Sequence, residues 1–331
     1  MGLFIIAEAG INHNGDKSIA KKLIKAARSA GANAVKFQAA IPNLVCTTQS
    51  PLAKYQKNSN SETQLKLLSK LHLPLEDYKE LYEYAQNLGI EFMCSAFDNF
   101  SLDYINNLGV KRHKIASGEI NHYPFLKQIA CYNKPTIIST GMATLKEIEE
   151  CLGVLIKNGL EKRNNILMHC TTDYPTNIED VNLNAIKTIS ETFNYPIGYS
   201  DHTIGNDVSI AALGMGCNYF EKHFTIDKNM NGPDHKASLS IKELNIYVNS
   251  LKNIYNSLGN GIKQPCPNEE INKQIVRRSI VAKVFIKKGD TFNENNLVCK
   301  RPFTGINPMK WNEIIGKKAV KDFEKDELIV Y

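Results

Sequence analysis

The sequence lacks any long hydrophobic run, and this absence excludes a membrane-spanning protein. No stretch of the 331 residues approaches the roughly 18 consecutive apolar positions that a transmembrane helix needs. The first residues also lack the basic segment of a secretory signal peptide, and their apolar run is too short for one. We therefore expect a cytoplasmic protein with no membrane partner.

Two further absences narrow the class of function. None of the eight cysteines forms a C-x-x-C pair, so a disulfide framework is not expected in a chain of this length. There is also no run of five or more Lys or Arg residues, and the net charge is only +6, from 40 basic and 34 acidic side chains. We therefore expect no nucleic-acid binding.

What the sequence does contain is a regular alternation of strand and helix patterns. Hydrophobic residues make up 43% of the chain, which is enough for a sizeable core. The predicted strands cover residues 4–9, 34–38, 91–97, 113–119, 136–140, 165–171, 196–201 and 219–225. Eight strands alternating with amphipathic helices predict an α/β fold, a (β/α)8 TIM barrel, since no nucleotide-binding fingerprint of an open sheet follows the first strand.

The sequence pattern changes after the last predicted barrel helix, from alternating strands and helices to polar segments and short strands. We expect a catalytic barrel domain over residues 1–259 and a polar, proline-containing linker over 260–278. Short strand and turn patterns then predict a small β-rich domain over 279–331. Residues 39–90 form the longest interval between strands, and we expect this insertion to lie above the mouth of the barrel.

Polar side chains stand at the carboxyl end of every predicted strand. In a barrel of this kind the chemistry lies at those ends. They supply Glu8, Lys36, Gln38, Ser95, Lys114, Ser117, Glu119, Ser139, Thr172, Tyr174, Ser200, His202 and His223. We therefore expect a polar active site there rather than a merely polar rim.

Two histidines among these residues could hold a metal ion. His202 and His223 end strands seven and eight, which are neighbours about 5 Å apart. Two imidazoles that converge there could bind a divalent cation, with Glu8 or a water molecule nearby. The alternative is that each histidine only makes hydrogen bonds inside the barrel, and the spacing alone leaves both interpretations open.

The lysines and serines suggest an anionic ligand. Lys36, Lys114, Ser117, Ser139 and Ser200 provide cations and hydroxyl groups around glycine-containing turns. Such groups suit a phosphorylated or carboxylated small molecule. Each lysine on its own is more often a surface charge, so the prediction depends on their occurring together.

Taken together, the strand ends resemble the sialic acid synthase family of nonulosonate synthases. The matching segments are 6–15 (IAEAGINHNG), 35–38 (VKFQ), 114–119 (KIASGE), 139–143 (STGMA), 200–202 (SDH), 221–225 (EKHFT) and 232–235 (GPDH). Residues from Arg278 through Arg301 to Lys317 resemble the antifreeze-like (SAF) domain of that family. The resemblance covers nearly the whole chain, in order.

The resemblance implies a role for each matching residue. It implies a divalent metal (Mn²⁺, or Mg²⁺ or Co²⁺) on His202 and His223, and an acidic group, Glu8, near the reacting centre. The implied substrate-binding residues are Lys36, Gln38, Lys114, Ser117, Glu119, Ser139, Thr172, Tyr174, Ser200, Asp234 and Arg301. Thr172 departs from several relatives, which carry asparagine beside the phosphate. Arg301 is implied to reach the other subunit's barrel in a domain-swapped homodimer.

The implied activity is the condensation of phosphoenolpyruvate with an N-acetylated amino sugar, with release of phosphate by C–O cleavage. We expect N-acetylneuraminate synthase activity on N-acetylmannosamine. The alternative is an N,N'-diacetyllegionaminate synthase that uses 2,4-diacetamido-2,4,6-trideoxymannose. A pseudaminate synthase is less expected because of the Gly-Pro-Asp element at 232–234. A carbohydrate- or ice-binding protein without activity fits poorly with the intact set of Glu8, Lys36, Lys114, His202 and His223.

Overall fold

The fold is described from a computed structural model, which covers residues 2–53, 56 and 61–331. The chain divides into two compact units, Met1–Gly259 and Asn260–Tyr331. Part of the predicted insertion at 39–90, namely residues 54, 55 and 57–60, lies outside the described residues. Within the described part of the chain, no helix is long and apolar enough to cross a membrane.

The first unit contains the eight predicted strands, all parallel. They are β1 (Phe4–Gly10), β2 (Ala34–Ala39), β3 (Glu91–Ala96), β4 (His113–Ile115), β5 (Thr136–Ser139), β6 (Asn165–Cys170), β7 (Ile197–Asp201) and β8 (Tyr219–His223). Their order in the sheet is β3-β2-β1-β8-β7-β6-β5-β4, so the first strand pairs with the eighth. The strands form a nearly closed barrel, and the TIM-barrel prediction is confirmed.

Helices surround the strands. They are α1 (Lys17–Ser29), α2 (Pro42–Val45), α3 (Gln64–Leu71), α4 (Asp77–Leu88), α5 (Asn99–Asn107), α6 (Tyr123–Tyr132), α7 (Leu145–Lys157), α8 (Asn184–Phe193), α9 (Asp207–Gly214) and α10 (Ile241–Ser257). Local sequence explains where several begin. The hydroxyls of Thr144 and Ser240 accept hydrogen bonds from the backbone N–H groups of Glu147 and Glu243, the third residues of α7 and α10. The carboxylates of these glutamates accept in turn from the backbone N–H groups of Thr144 and Ser240.

Side-chain alternation along the strands divides the barrel interior into an apolar and a polar layer. Ile6, Ala34, Met93, Ile137, Ile166 and Met168 form a small buried cluster. Residues two positions later on the same strand faces, such as Glu8, Lys36 and Ser139, are buried but polar. The apolar layer therefore supports a ring of polar side chains at the carboxyl ends of the strands.

Strand β4 is shorter than predicted. It ends at Ile115, and Ser117–Glu119 form a turn of 3-10 helix. The segment Ser-Gly-Glu lacks the β-branched and aromatic residues that favour strands. The prediction of a strand to residue 119 is therefore wrong, and Glu119 lies on a turn rather than at a strand end.

The second unit has a small core of its own. It contains α11 (Pro267–Val276), β9 (Ser279–Ala282), β10 (Leu297–Lys300) and α12 (Trp311–Ile314), with β9 and β10 antiparallel. Ile280, Phe292, Leu297 and Phe323 are among its buried residues. The segment predicted as a linker, 260–278, includes α11, whose start is marked by Pro267 and by a capping box with Glu269.

Candidate active site

A cavity of about 360 Å³ opens at the carboxyl ends of the barrel strands. Most residues predicted for the site line it: Glu8, Lys36, Gln38, Lys114, Ser117, Ser139, Thr172, Tyr174, Ser200, His202, His223 and Asp234. They come from six strands and from the loops that follow β4, β6, β7 and β8, so only the barrel brings them together. Ser95, another predicted strand end, also lines the cavity, as do Glu221 and His72, which were not predicted as site residues.

Two lysines and two carboxylates occupy the floor of this cavity. Lys36 Nζ lies 3.0 Å from Glu8 Oε2 and 3.7 Å from Glu221 Oε2. Lys114 Nζ lies 3.8 Å from Glu221 Oε1 and donates a hydrogen bond of 2.7 Å to Ser139 Oγ. All four charged side chains are at least 94% buried. Because no excess charge is buried, the cluster can remain ionised away from bulk water.

Burial and neighbouring charges shift the pKa values of these groups in different directions. Burial raises the pKa of Glu8, and Lys36 only partly opposes that shift. Burial would also raise the pKa of Glu221, but Lys114 and Lys36 lower it to about 2. Burial lowers the pKa of Lys114 despite the nearby Glu221. Glu8 is therefore the carboxylate of the pair better suited to accept a proton.

The two histidines converge on the same cavity. Their ring centroids are 5.7 Å apart, and the Tyr174 ring lies 4.2 Å from that of His202. His202 Nδ1 lies 2.6 Å from the carbonyl oxygen of Thr171. A carbonyl oxygen only accepts, so this nitrogen carries the hydrogen and Nε2 keeps its lone pair. Burial lowers the pKa of both histidines, which favours the neutral form that binds metals.

These residues fit a divalent metal ion with few protein ligands. His223 Nδ1 is buried without a hydrogen-bond partner among the described residues, and its nearest acidic neighbour is Asp234, with Oδ2 at 3.9 Å. In the described part of the chain, no group of three or more His, Cys, Asp or Glu side chains has the geometry of a metal site. The two imidazoles would be the protein donors of such an ion, and coordination positions would remain for water or substrate oxygen.

A second group of hydroxyls lies around Gly141. Ser117 Oγ accepts a hydrogen bond of 3.1 Å from the backbone N–H of Gly141. A Cβ atom at Gly141 would lie 2.3 Å from Thr172 Oγ1, so only glycine allows this close approach. Thr172 Oγ1 is itself buried and has no hydrogen-bond partner among the described residues. A hydroxyl in that position can donate to a ligand oxygen.

The comparisons with known proteins identify the family. A model of the NeuB family matches residues 23–263, and a SAF-domain model matches residues 277–331. The chain belongs to the NeuB family. The N,N'-diacetyllegionaminic acid synthase of Campylobacter jejuni is 49% identical to it over 98% of both chains. The enzyme of the same name from Legionella pneumophila is 44% identical, over 96% of this chain and 90% of its own.

A solved structure agrees with this membership. The N-acetylneuraminic acid (sialic acid) synthetase of Leptospira borgpetersenii is 33% identical, with a TM-score of 0.72, over 82% of this chain and 90% of its own. The NeuB-family chain is therefore an enzyme of the nonulosonate synthase class, a transferase that forms a carbon–carbon bond. The resemblance found in the sequence is confirmed at the level of the family.

Two predicted positions of this NeuB-family chain, Glu119 and Arg301, lie on the turn after β4 and in the second unit. Glu119 Oε2 lies 2.7 Å from His122 Nδ1, on the turn that follows β4. Glu119 is absent from the described residues that line the cavity. Arg301 belongs to the second unit, where its side chain is exposed. Their predicted contacts with substrate stay predictions.

The buried carboxylate of Glu221 is the main feature that sequence reasoning missed. Glu221 is one of the polar residues at the end of strand eight and belongs to the family-like segment 221–225, but it was not predicted as a site residue. It lies two residues before His223 on β8, and its register partner on β7 is Ser200, which donates a hydrogen bond of 3.2 Å to it. Side chains two apart in a strand share a face. That periodicity alone would have placed Glu221 beside His223 in the barrel interior.

Proposed function

We propose that this nonulosonate synthase condenses phosphoenolpyruvate with 2,4-diacetamido-2,4,6-trideoxymannose and releases phosphate. The observation that carries the proposal is that one cavity collects two buried lysines, several hydroxyl groups and two neutral histidines. The names of the two relatives that are 49% and 44% identical support the diacetamido acceptor.

The lysines and hydroxyls would bind phosphoenolpyruvate. Lys36 and Lys114 provide the two positive charges, and Ser117, Thr172 and Ser139 provide donors beside them. Charge-assisted hydrogen bonds of this kind are stronger than neutral ones. Holding both the phosphate and the carboxylate fixes the direction in which C3 of the enol faces, and orientation of this kind lowers the barrier to condensation.

His202 and His223 would hold the divalent cation, for which manganese is the first candidate and magnesium and cobalt are alternatives. When bound, such an ion polarises a carbonyl oxygen. The carbonyl of Thr171 fixes the ring of His202, so Nε2 is already oriented before any ligand arrives. The role of the protein here is to hold both imidazoles neutral and at a fixed separation.

Glu8 would act as the base in the second half of the reaction. C3 of the enol forms a bond to the aldehyde carbon of the open-chain sugar, whose oxygen is protonated to a hydroxyl, and C2 is left electron-poor. Water adds to C2 and gives one proton to the base. The new C2 hydroxyl then loses its remaining proton and becomes the ketone oxygen as the C2–O bond breaks, and the bridging oxygen leaves with phosphate. The Glu8 carboxylate is buried, has a raised pKa and lies beside Gln38, whose Nε2 donates to it at 3.0 Å.

Other residues that line the cavity would contact the acceptor sugar. They are Asp234 and Gln38, together with the apolar side chains of Ile11, Val45 and Leu68. The two acceptors differ at C4, which carries an acetamido group or a hydroxyl, and at C6, which is a methyl or a hydroxymethyl group. Apolar neighbours favour the methyl groups of the diacetamido sugar. N-Acetylmannosamine stays the second candidate, because the 33% identical structure is named as a sialic acid synthetase.

A homodimer in which Arg301 reaches the partner's cavity completes the proposal. It is supported by the SAF-domain match over residues 277–331, which includes Arg301.

The test is phosphate release from phosphoenolpyruvate and Mn²⁺ with each acceptor in parallel. We expect kcat/KM to be at least about tenfold higher with the diacetamido sugar, equivalent to about 1.4 kcal/mol of transition-state binding. Preference for N-acetylmannosamine would instead support the second candidate. Absence of phosphate release with every amino sugar would favour a protein that only binds carbohydrate.

A further inference from the structure

A buried ion pair lies on the outer side of the barrel, directly behind the two histidines. Lys222 Nζ is 2.8 Å from Asp201 Oδ2, and neither side chain is more than 2% exposed. Asp201 is the last residue of β7 and is followed by His202, and Lys222 precedes His223 on β8. The two charged residues are also direct register partners in the β7–β8 ladder. Because side chains alternate along a strand, the pair faces the helices while its neighbours face the cavity.

The pair also holds the backbone that follows His202. Lys222 Nζ donates a hydrogen bond of 2.8 Å to the carbonyl oxygen of Thr203. Asp201 Oδ1 accepts from the N–H and the hydroxyl of Thr203, at 2.9 and 2.7 Å. Asp201 Oδ2 accepts from Ser209 Oγ in α9 at 2.6 Å. The residues on both sides of His202 are therefore tied to β8 and to a helix.

The chemistry of this position argues against a purely stabilising role. Burying two charges costs desolvation energy, and apolar residues of similar volume often stabilise a core at least as well. An ion pair with defined hydrogen bonds fixes relative positions more strictly than apolar contacts do. The segments that it joins carry the two predicted metal ligands, together with Ser200 and Glu221 of the same cavity.

We propose that Asp201 and Lys222 are positioning residues that set the separation and orientation of the His202 and His223 rings. The proposal rests on the proposed function, because it gives those two rings a joint task. It assigns no contact with substrate or metal to either charged residue. Their effect passes through the backbone of β7, β8 and the loop that follows His202.

The test compares two double variants in the full-length protein. Asp201→Asn/Lys222→Met removes the pair without leaving one charge unpaired. Glu91→Gln/Arg112→Met is the matched control, because that part-buried pair (Nε to Oε1, 2.6 Å) joins the amino ends of β3 and β4, at the opposite end of the barrel. Three measurements are made on both double variants and on the unmodified protein. They are thermal unfolding, Mn²⁺ affinity by electron paramagnetic resonance, and kcat and KM for phosphoenolpyruvate.

We expect both variants to melt at lower temperature, but only Asp201→Asn/Lys222→Met to bind Mn²⁺ about 10- to 100-fold more weakly, the range typical of lost outer-shell support. Its kcat should fall while its KM for phosphoenolpyruvate changes less than about threefold. A folded variant with unchanged Mn²⁺ affinity and unchanged kcat would overturn the proposal. If the unmodified protein binds no Mn²⁺, the metal site of the proposed function is wrong, and the fall in kcat alone decides the positioning role.

A milder variant covers the case in which the double variant does not fold. Thr203→Val removes one hydrogen bond to Asp201, keeps the ion pair and preserves the side-chain shape. We expect about a 2- to 10-fold loss in Mn²⁺ affinity or in kcat, the range for one lost hydrogen bond. Unchanged values for both quantities in this variant would contradict the proposal.

Discussion

Replacing Lys114 with methionine is the sharpest single perturbation of the predicted phosphoenolpyruvate site. Methionine keeps most of the side-chain volume and removes the charge. Lys114 Nζ is buried beside Ser139 Oγ at 2.7 Å and Glu221 Oε1 at 3.8 Å, so its ammonium group is already directed at the cavity. A hydrogen bond to a charged group contributes about 1.5–3 kcal/mol, which corresponds to roughly a 10- to 150-fold rise in KM for phosphoenolpyruvate.

The assay is the initial rate of phosphate release at varied phosphoenolpyruvate and saturating acceptor, then the reverse. The KM for the sugar should change much less, because the sugar is assigned to other cavity residues, Asp234 and Gln38. Lys17→Met is a matched control, since Lys17 pairs with Asp77 and Glu80 on the outer helices. Lys114→Met/Glu221→Gln separates binding from folding, because it removes the unpaired carboxylate and should recover thermal stability without recovering KM. A KM for phosphoenolpyruvate within twofold of the original, with a raised KM for the sugar, would refute the assignment.

Four further outcomes are expected. His202→Ala and His223→Ala should each abolish Mn²⁺-dependent turnover with an unchanged circular dichroism spectrum, and a normal rate in either would exclude the metal role. Gly141→Ala should raise KM for phosphoenolpyruvate, because its Cβ would lie 2.3 Å from a hydroxyl in the cavity. Mixing Arg301→Ala with His202→Ala protein should restore part of the activity if the arginine acts in the partner's site. This would be contradicted by mixed dimers that are confirmed by mass and stay inactive. Burial lowers the pKa of His113 from 6.5 to about 4. Between these two pH values the unfolded chain takes up a proton that the folded protein does not, so the free energy of unfolding falls by up to about 3 kcal/mol from pH 6.5 to pH 4. Urea unfolding of His113→Leu should show a flatter pH dependence in this range.

The sequence predicted the barrel well because the signals are local and repeated. Each strand is a short apolar run bounded by polar residues, and each helix has apolar residues at helical spacing. The polar strand ends could be grouped in one site only because a barrel brings all its carboxyl ends to one face. Lys36, Lys114 and His223 could therefore be predicted as site residues from the sequence.

What the sequence did not predict depends on long-range packing or on short deviations from regular structure. The turn at Ser117–Glu119 interrupts a strand pattern after only three residues, and Glu119 then pairs with His122. The role of Glu221 depends on its contacts with Lys36 and Lys114, which come from distant parts of the chain. Helix α11 is mostly polar, and its three aliphatic side chains, Ile271, Ile275 and Val276, are all exposed, so its sequence resembles that of a linker.

The central claim is that the cavity joins phosphoenolpyruvate to an amino sugar and releases phosphate by C–O cleavage. The most direct measurement uses phosphoenolpyruvate labelled with ¹⁸O at the oxygen that bridges C2 and phosphorus, together with Mn²⁺ and the diacetamido sugar. Mass spectrometry then locates the label in the two products. The account predicts that the released phosphate carries the ¹⁸O and that the new nonulosonic acid does not. Label retained in the sugar acid, or no product that contains both carbon chains, would contradict it.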